Sequence, residues 1–323
     1  MNRIRIAHAL VGTALALGSG AALAQAFPVK PIRVISTFPG GGTADTMMRV
    51  VGQKAGELLG QPVIVEARPG AGGVLAAQSI VGSAPDGYNL LHAAPTTLVA
   101  TPFVLKNPPY DPAKDFTFIT HLTDATTCIL VNTALPVNNV RELVDYARAN
   151  PGKLSYGSNG IGASFHLEME MLKLKQGIDI VHIPYKGGLD SLQAAAAGQI
   201  PVGLVTIASA YPQIKAGKVR VVALLSEKRI PGLDFPVMGE QLPDYEKIPS
   251  GSHIAGPAGI PRAVAQRLNA NIARSLALPD VKEHLAKIGF LGVGNSLDEE
   301  IAQIRKDTAI MGKAIKAAKI QPE

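Results

Sequence analysis

From Pro31 onward the chain alternates short β-branched runs with stretches of helical period, and several passages from such a run into a helix are rich in glycine. Strands separated by helices cannot pair as hairpins; they form parallel sheets with helices packed on their faces. "PIRVISTF" reads as the first strand and Thr43 to Leu59 as the helix after it. "PVIVEAR", a helix from about Gly73 to Val81, and "YNLLHAA" follow, the last two separated by the turn "APDGY". Near Cys128 the rhythm begins again: "CILVN", a helix N-capped by Asn139, "LSYGSN", "SFHLEMEMLKLKQ", "DIVHIPY", "LDSLQAAAAGQ", "PVGLVTI" and "VRVVALLS". No short solenoid repeat accompanies it, so two lobes of like architecture are expected.

The tail has only one short strand signal, "FLGVG", besides the strand-like run "IPSGSHIAGPAGIP" and two helices. The last helix opens with the capping box Ser296-Leu297-Asp298-Glu299. Without a sheet of its own this tail should return to the first lobe. The expected organisation is residues 27–125 plus 250–323 as lobe one and 126–249 as lobe two, with crossings near 117–128 and 248–257 as the hinge.

The first residues fall outside this pattern. Arg3 and Arg5 precede an apolar run from Ile6 to Leu17, and "ALAQA" closes it with small residues, the form of a secretory signal peptide cleaved after Ala24 (residues 1–24). Cleavage there leaves about 299 of the 323 residues, the size of two lobes rather than one small core. It also lowers the formal net charge from +6 to +4, and with 5% aromatic residues this gives no basis for binding nucleic acid. Exported chains often rely on disulfides, yet Cys128 is alone, so the core must supply the stability. In "TTCILVN" it reads as a small apolar strand residue.

The glycines at the junctions carry the functional reading. In "FPGGGTADTMMR" a loop of Gly40, Gly41 and Gly42 leads from a strand's carboxyl end into a helix. Its backbone N–H groups, beside the positive end of the helix dipole, suit an anion without any charged side chain. Thr43 or Asp45 is a candidate cap, and Asp45 with Arg49 an i,i+4 pair. A Rossmann fingerprint needs a last glycine where Asp45 stands, and no Gly-Lys-Ser/Thr occurs, so both nucleotide-phosphate readings fail. "RPGAGGV" is a second such passage. "YGSNGIGASFH" is a third, in the other lobe, with Ser158, Asn159 and Ser164 as added donors and Ala163 or Ser164 at the helix start. "IPYKGG" is a fourth, with Lys186 able to neutralise an anion. Ligands of open α/β sheets sit outside the carboxyl ends of the strands, so these loops are expected to face one shared cleft.

Catalytic signatures are absent: no G-x-S-x-G elbow, no H-E-x-x-H pair, no Cys/His cluster. His166 and Glu170 share a helix face but are too few for a metal and read as a surface pair. His182 reads as a strand residue with a satisfied ring nitrogen, and His253 as lining either the cleft or the hinge. Neither cofactor nor metal is expected.

Taken together these passages resemble the Bug family, the TctC-like extracytoplasmic solute receptors of tripartite tricarboxylate transporters. "FPGGGTADTMMR" resembles the family's P-G-G-x-x-D-x-x-A-R stretch, with Met48 at the usual alanine. "GQPVIVEARPGAGG" resembles its G-Q-P-V-V-V-E-N-R-P-G-A-G-G, with Ala67 for asparagine. "APDGYNLL", "YDPAKDF", "NPGKLSYGSNGIGASFHL", "VHIPYKGG", "QIKAGKVR" and "GPAGIPRAVAQRLN" follow in order, so the similarity spans nearly all of the mature chain. It implies a two-lobed α/β fold of type II periplasmic-binding topology (Venus flytrap), a periplasmic location and no catalysis. By position it implies ligand contacts from Phe38, Gly40, Gly41, Gly42 and Thr43, from Ala71, Gly72 and Gly73, and from Thr96. In lobe two it implies Ser158, Asn159, Gly162, Ala163, Ser164, Tyr185, Lys186 and Thr206. Val205-Thr206 stands where many relatives carry a pair such as Asp-Asn, which argues against an amine-bearing ligand. Gly251-Ser252-His253 and Met311 replace two tryptophans, so the pocket floor and hinge are expected to differ.

The expected function is capture of a small carboxylate by a monomer, in an interlobe cleft, for presentation to the membrane subunits of a tripartite transporter. Signalling to a sensor kinase is the alternative output, and a periplasmic hydrolase or isomerase the enzymatic rival. Which acid is bound stays open among dicarboxylates, tricarboxylates, aromatic acids and neutral amide-like compounds.

Overall fold

The computed structural model describes residues 27–322, so the signal-peptide reading of residues 1–24 lies outside the described residues. The strands, in chain order, are β1 (Ile32–Ser36), β2 (Val63–Ala67), β3 (Asn89–Ala93), β4 (Phe116–Ala125), β5 (Thr127–Asn132), β6 (Ser155–Ser158), β7 (Val181–Pro184), β8 (Val202–Thr206), β9 (Val219–Leu224), β10 (Ser252–Pro257) and β11 (Phe290–Gly292). The main helices are α1 (Thr43–Leu59), α2 (Val74–Val81), α3 (Val140–Ala149), α4 (Ser164–Gln176), α5 (Gly188–Ala196), α6 (Ile207–Lys215), α7 (Arg262–Ala277), α8 (Pro279–Lys287) and α9 (Leu297–Ala317).

Two sheets result, ordered β11-β4-β10-β3-β1-β2 and β7-β6-β8-β5-β9. Setting aside β10, β5 and β11, each has its second strand outermost, then the first and third in parallel, then an inserted antiparallel strand, then the fourth; the first sheet adds β11 antiparallel to β4 at its far edge. The inserted antiparallel strands are β10, which returns from beyond the second sheet, and β5, which enters directly from the first. Each sheet therefore receives its antiparallel strand at a crossing between the two.

Periodicity explains the layers. Met47, Val51, Ala55 and Leu59 recur at helical spacing along α1 and pack on Ile32 and Val34 of β1. Full burial of a side chain such as Met47 or Val51 is worth about 1.5–3 kcal/mol. In the second sheet Tyr156, Val202 and Val222 pack under Leu143 of α3 and Met169 of α4. Asn139 caps α3 through Oδ1, which accepts from the Glu142 N–H at 2.9 Å, and both hydrogen bonds of the capping box at Ser296 and Glu299 are present.

Helix α4 departs from the surface pairing expected of His166 and Glu170: Phe165, His166, Leu167, Glu168, Met169, Met171 and Leu172 are all buried. The reason is α9, which packs across it, so that Leu167 and Met171 share a core with Ile304, Ile310, Met311 and Ile315.

The crossing from β4 to β5 spans the single residue Thr126, whose N–H donates to the Gly289 carbonyl (2.8 Å) and whose carbonyl accepts from the Ile207 N–H (2.9 Å). Beside it His121 of β4 stacks on His253 of β10 with centroids 4.4 Å apart. His253 Nδ1 lies 2.7 Å from Glu300 Oε1. His253 is fully buried at the hinge, not exposed to a cleft.

Cys128 is fully buried in β5, its Sγ 3.6 Å from the Val205 carbonyl, and burial pushes its thiol up to about 12. The native protein is accordingly expected to be inert to a thiol reagent at pH 8 and to titrate one thiol after denaturation. Rapid labelling of the folded protein would contradict this packing.

Candidate functional site

The loops singled out by the sequence collect at the carboxyl edges of the two sheets. In the first, Ser36, Ala67 and His92 are neighbours across β1, β2 and β3, so the loops that leave them are adjacent. The second loop rests on the helical segment after β3, where Thr97 Oγ1 donates to the Gly72 carbonyl (2.8 Å). In the second sheet Ser158 is paired with Pro184, and Gly157 with Gly203, which brings the third and fourth loops and the start of α6 together. Among the described residues, no hydrogen bond runs from one set of loops to the other.

Five helices begin at these edges, α1, α2, α4, α5 and α6, and the N-cap residues Gly42, Gly73, Ala163, Gly187 and Thr206 make no side-chain capping bond. Of the other four main helices, α3 and α9 carry side-chain caps and α7 and α8 do not. An uncapped first turn keeps N–H groups and the positive end of the dipole available to a ligand.

The loops themselves differ from the sequence expectation. Neither Thr43 nor Asp45 caps α1. Asp45 turns back instead, and its buried carboxylate accepts from the Gly41 N–H (2.9 Å) and from Arg49 Nε (2.9 Å). Burial raises the Asp45 pKa, but the hydrogen bonds of Arg49 and Gly41 outweigh it, so the group titrates below the ordinary carboxylate value. The Gly42 N–H turns to the Pro39 carbonyl at 3.2 Å. Two of the three glycine amides thus shape the loop, and the first turn of α1 holds its remaining donors. Gly40, Gly41 and Thr43 are exposed, and Phe38 is half-buried with its ring 4.8 Å from that of His92.

In the third loop the side-chain oxygens are spent as well. Ser158 is fully buried, with Oγ 2.7 Å from His182 Nε2 and accepting from the Gly160 N–H at 3.1 Å. Asn159 Oδ1 accepts from the Phe165 N–H at 3.3 Å, inside the first turn of α4. The Gly162 N–H donates to His166 Nδ1 (3.0 Å). His166 is therefore not paired with Glu170 on a surface. Glu170 instead accepts from Tyr156 Oη (2.8 Å) and from Lys173 Nζ (2.8 Å). Ala163 is the N-cap and Ser164 the first residue of α4.

Tyr185 is half-buried against the second-sheet core. Lys186 is exposed and has no ion-pair partner among the described residues. At the end of β8, Thr206 Oγ1 meets Ser209 Oγ at 2.9 Å, and Val205 is buried beneath it. Thr96 is half-buried at the start of the helical segment after β3, and Gly72 is exposed in the second loop while Gly73 is buried. Ala71 lies in the turn Ala71–Gly73. His182 is the strand residue with a bonded ring nitrogen that the sequence suggested, whereas the contact of His166 with the Gly162 amide was missed; its trace in the sequence is the spacing of four residues between them. No group of three or more His, Cys, Asp or Glu suited to a metal occurs among the described residues, and no described helix is long and apolar enough to cross a membrane.

Two mixed α/β sheets of this order, exchanging antiparallel strands at two crossings and presenting open helix starts at their carboxyl edges, define a solute receptor of the periplasmic-binding-protein fold. The sequence profile described as "Tripartite tricarboxylate transporter family receptor" matches residues 47–320, and the chain belongs to that family, one of receptors and not of enzymes. It is 36% identical over 319 residues to the UPF0065 protein of the gbd 5' region of Cupriavidus necator, covering 97% of this chain and 94% of that one. Rhodopseudomonas palustris supplies two solved relatives. The protein Rpa4515, solved with adipate, is 29% identical with a TM-score of 0.76 and covers 92% of this chain and 100% of its own. MatC, solved with bound malate, is 27% identical with a TM-score of 0.71, covering 90% and 100%.

Proposed function

We propose that this receptor captures a small carboxylate between its two sheets in the periplasm, after removal of the N-terminal segment, and presents it to the membrane subunits of a tripartite transporter. The lobes of this reading are residues 27–125 plus 250–323 and residues 126–249. The protein acts as a monomer, and the ligand contacts come from the first loop with Thr96, the second loop, the third loop, Tyr185, Lys186 and Thr206. The observation that carries it is the row of helix starts on both carboxyl edges whose N-cap residues make no side-chain capping bond, with one first-turn amide of α4 held by Asn159, in a chain whose relatives were solved with adipate and malate. An acid that bridges both edges favours the closed arrangement because only there does it meet both sets of amides. A micromolar dissociation constant, roughly 8 kcal/mol, lies within reach of several charge-assisted hydrogen bonds in a dehydrated cleft.

The test is to denature protein purified from the native host, identify any released compound by mass spectrometry, and titrate the refolded receptor with it and with a carboxylate panel by calorimetry. A released acid that rebinds with micromolar affinity is the expected result. A chain that releases no acid and gives no heat with any carboxylate ends the reading.

A further inference from the structure

Under the first and third loops lies a like arrangement of serine and histidine. The last residue of the strand next to one sheet edge is a serine, Ser36 in β1 and Ser158 in β6. Its hydroxyl meets a histidine on an adjacent strand, His92 Nδ1 at 3.0 Å in one sheet and His182 Nε2 at 2.7 Å in the other. The same oxygen accepts the amide two residues further on, Phe38 N–H at 3.4 Å and Gly160 N–H at 3.1 Å. In lobe two the arrangement is extended. His182 stacks on His166 with centroids 4.0 Å apart and planes 14° from parallel, and His166 Nδ1 accepts the Gly162 N–H. Tyr156 closes the column, its ring 4.9 Å from that of His182.

We propose that His166 and His182 are positioning residues for the third loop: as neutral imidazoles they fix the path of residues 158–163 and so the aim of the first turn of α4, with Ser36 and His92 bracing the first loop in the same way. This rests on the receptor reading above. The hydrogen-bond roles dictate the protonation state, because a nitrogen that accepts an amide N–H cannot itself carry a proton. Burial keeps both rings neutral, lowering His166 below its ordinary value and His182 to about 4, the latter helped by the neighbouring His166. The charged groups that face the column are Glu170, which opposes this effect, and Lys173, which reinforces it; both lie on α4, while Tyr156 comes from β6. Protonation of His166 at Nδ1 removes the acceptor of Gly162 and frees the loop. Since the lowered pKa belongs to the folded form, the brace holds at neutral pH and is lost as the pH falls through the folded-state value.

The variants separate acceptor from bulk. Asparagine places Oδ1 near the position of Nδ1, so His166→Asn keeps an acceptor that does not protonate, whereas His166→Phe keeps only the stacking. At pH 7 the Gly162 amide should exchange at least tenfold faster in His166→Phe than in the wild type, and at the wild-type rate in His166→Asn. After correction for intrinsic exchange, wild-type protection should hold at neutral pH and fall on acidification below the ordinary imidazole range, and that of His166→Asn should not. Nitrogen NMR of the wild type should show Nδ1 of His166 unprotonated at pH 7, a readout that stands even where His166→Phe fails to fold. Titration with adipate and malate should show at least tenfold weaker binding in His166→Phe and recovery in His166→Asn. Protonated Nδ1, Gly162 protection indifferent to the phenylalanine, or a pH profile shared by wild type and His166→Asn would each overturn the proposal. Absence of heat with every carboxylate would instead count against the receptor reading, with the exchange data still deciding the brace.

Discussion

Gly251→Ala is expected to cost about 4 kcal/mol or more, among the largest effects of any single methyl group added to this chain. Gly251 leads into β10 with φ at +80°, a region that charges an L-residue about 1–2 kcal/mol. The larger penalty is steric: an added Cβ would lie 1.7 Å from the Thr123 carbonyl oxygen and 2.8 Å from the Asp124 Cα, both backbone atoms of β4. Neither neighbour can rotate away, so the two crossing strands must separate. Thermal unfolding followed by circular dichroism should show a melting temperature lower by roughly 10 °C. Gly60→Ala is the comparison, since φ is +78° there but a Cβ would meet nothing within 4 Å, and it should cost only about 1 kcal/mol. Equal losses in the two variants would show that the close approach of the crossings is not under steric control.

The second large effect concerns binding. Gly41→Asp is expected to weaken carboxylate binding at least a hundredfold, about 3 kcal/mol, while leaving the protein folded. Gly41 is exposed, has φ at +75°, and a Cβ there would find open space, so a side chain fits. Aspartate tolerates the left-handed region better than most residues, and its charge would occupy the approach to the first turn of α1. Gly41→Asn carries the same shape without the charge and should retain affinity within about tenfold of the wild type. Calorimetry with the released ligand distinguishes the cases, and unchanged affinity in the aspartate variant would remove the first loop from the site.

These predictions draw on features of unequal visibility in the sequence. The alternation of β-branched runs with helical periods made the strands and helices readable, because each depends on neighbours within a few residues. Asn139 and the box at Ser296 were readable for the same reason, as both caps are local. The fate of the glycine amides was not. Asp45 was read as a cap or as a partner of Arg49, and it does bind Arg49, but its bond to the Gly41 N–H depends on how tightly the loop turns back. His166 was misread for a different cause: spacing along α4 shows which residues share a face, not what covers that face. The covering element is α9, more than a hundred residues away, and its burial of Leu167 and Met171 turns a helix of weak amphipathic pattern into an internal one. Met311, standing at a position of tryptophan in the resembled family, is part of that covering core and fully buried.

Thr126 carries one further consequence. Its two peptide groups are clamped to opposite bodies, the N–H to Gly289 and the carbonyl to Ile207, with no slack residue on either side. For the closure proposed above, this crossing is no loose tether: it can accommodate motion only by a twist of a few torsion angles, resisted like a torsion bar. At this crossing little chain disorder would then be frozen on binding, so less of the guest's interaction energy would be consumed in ordering its host there.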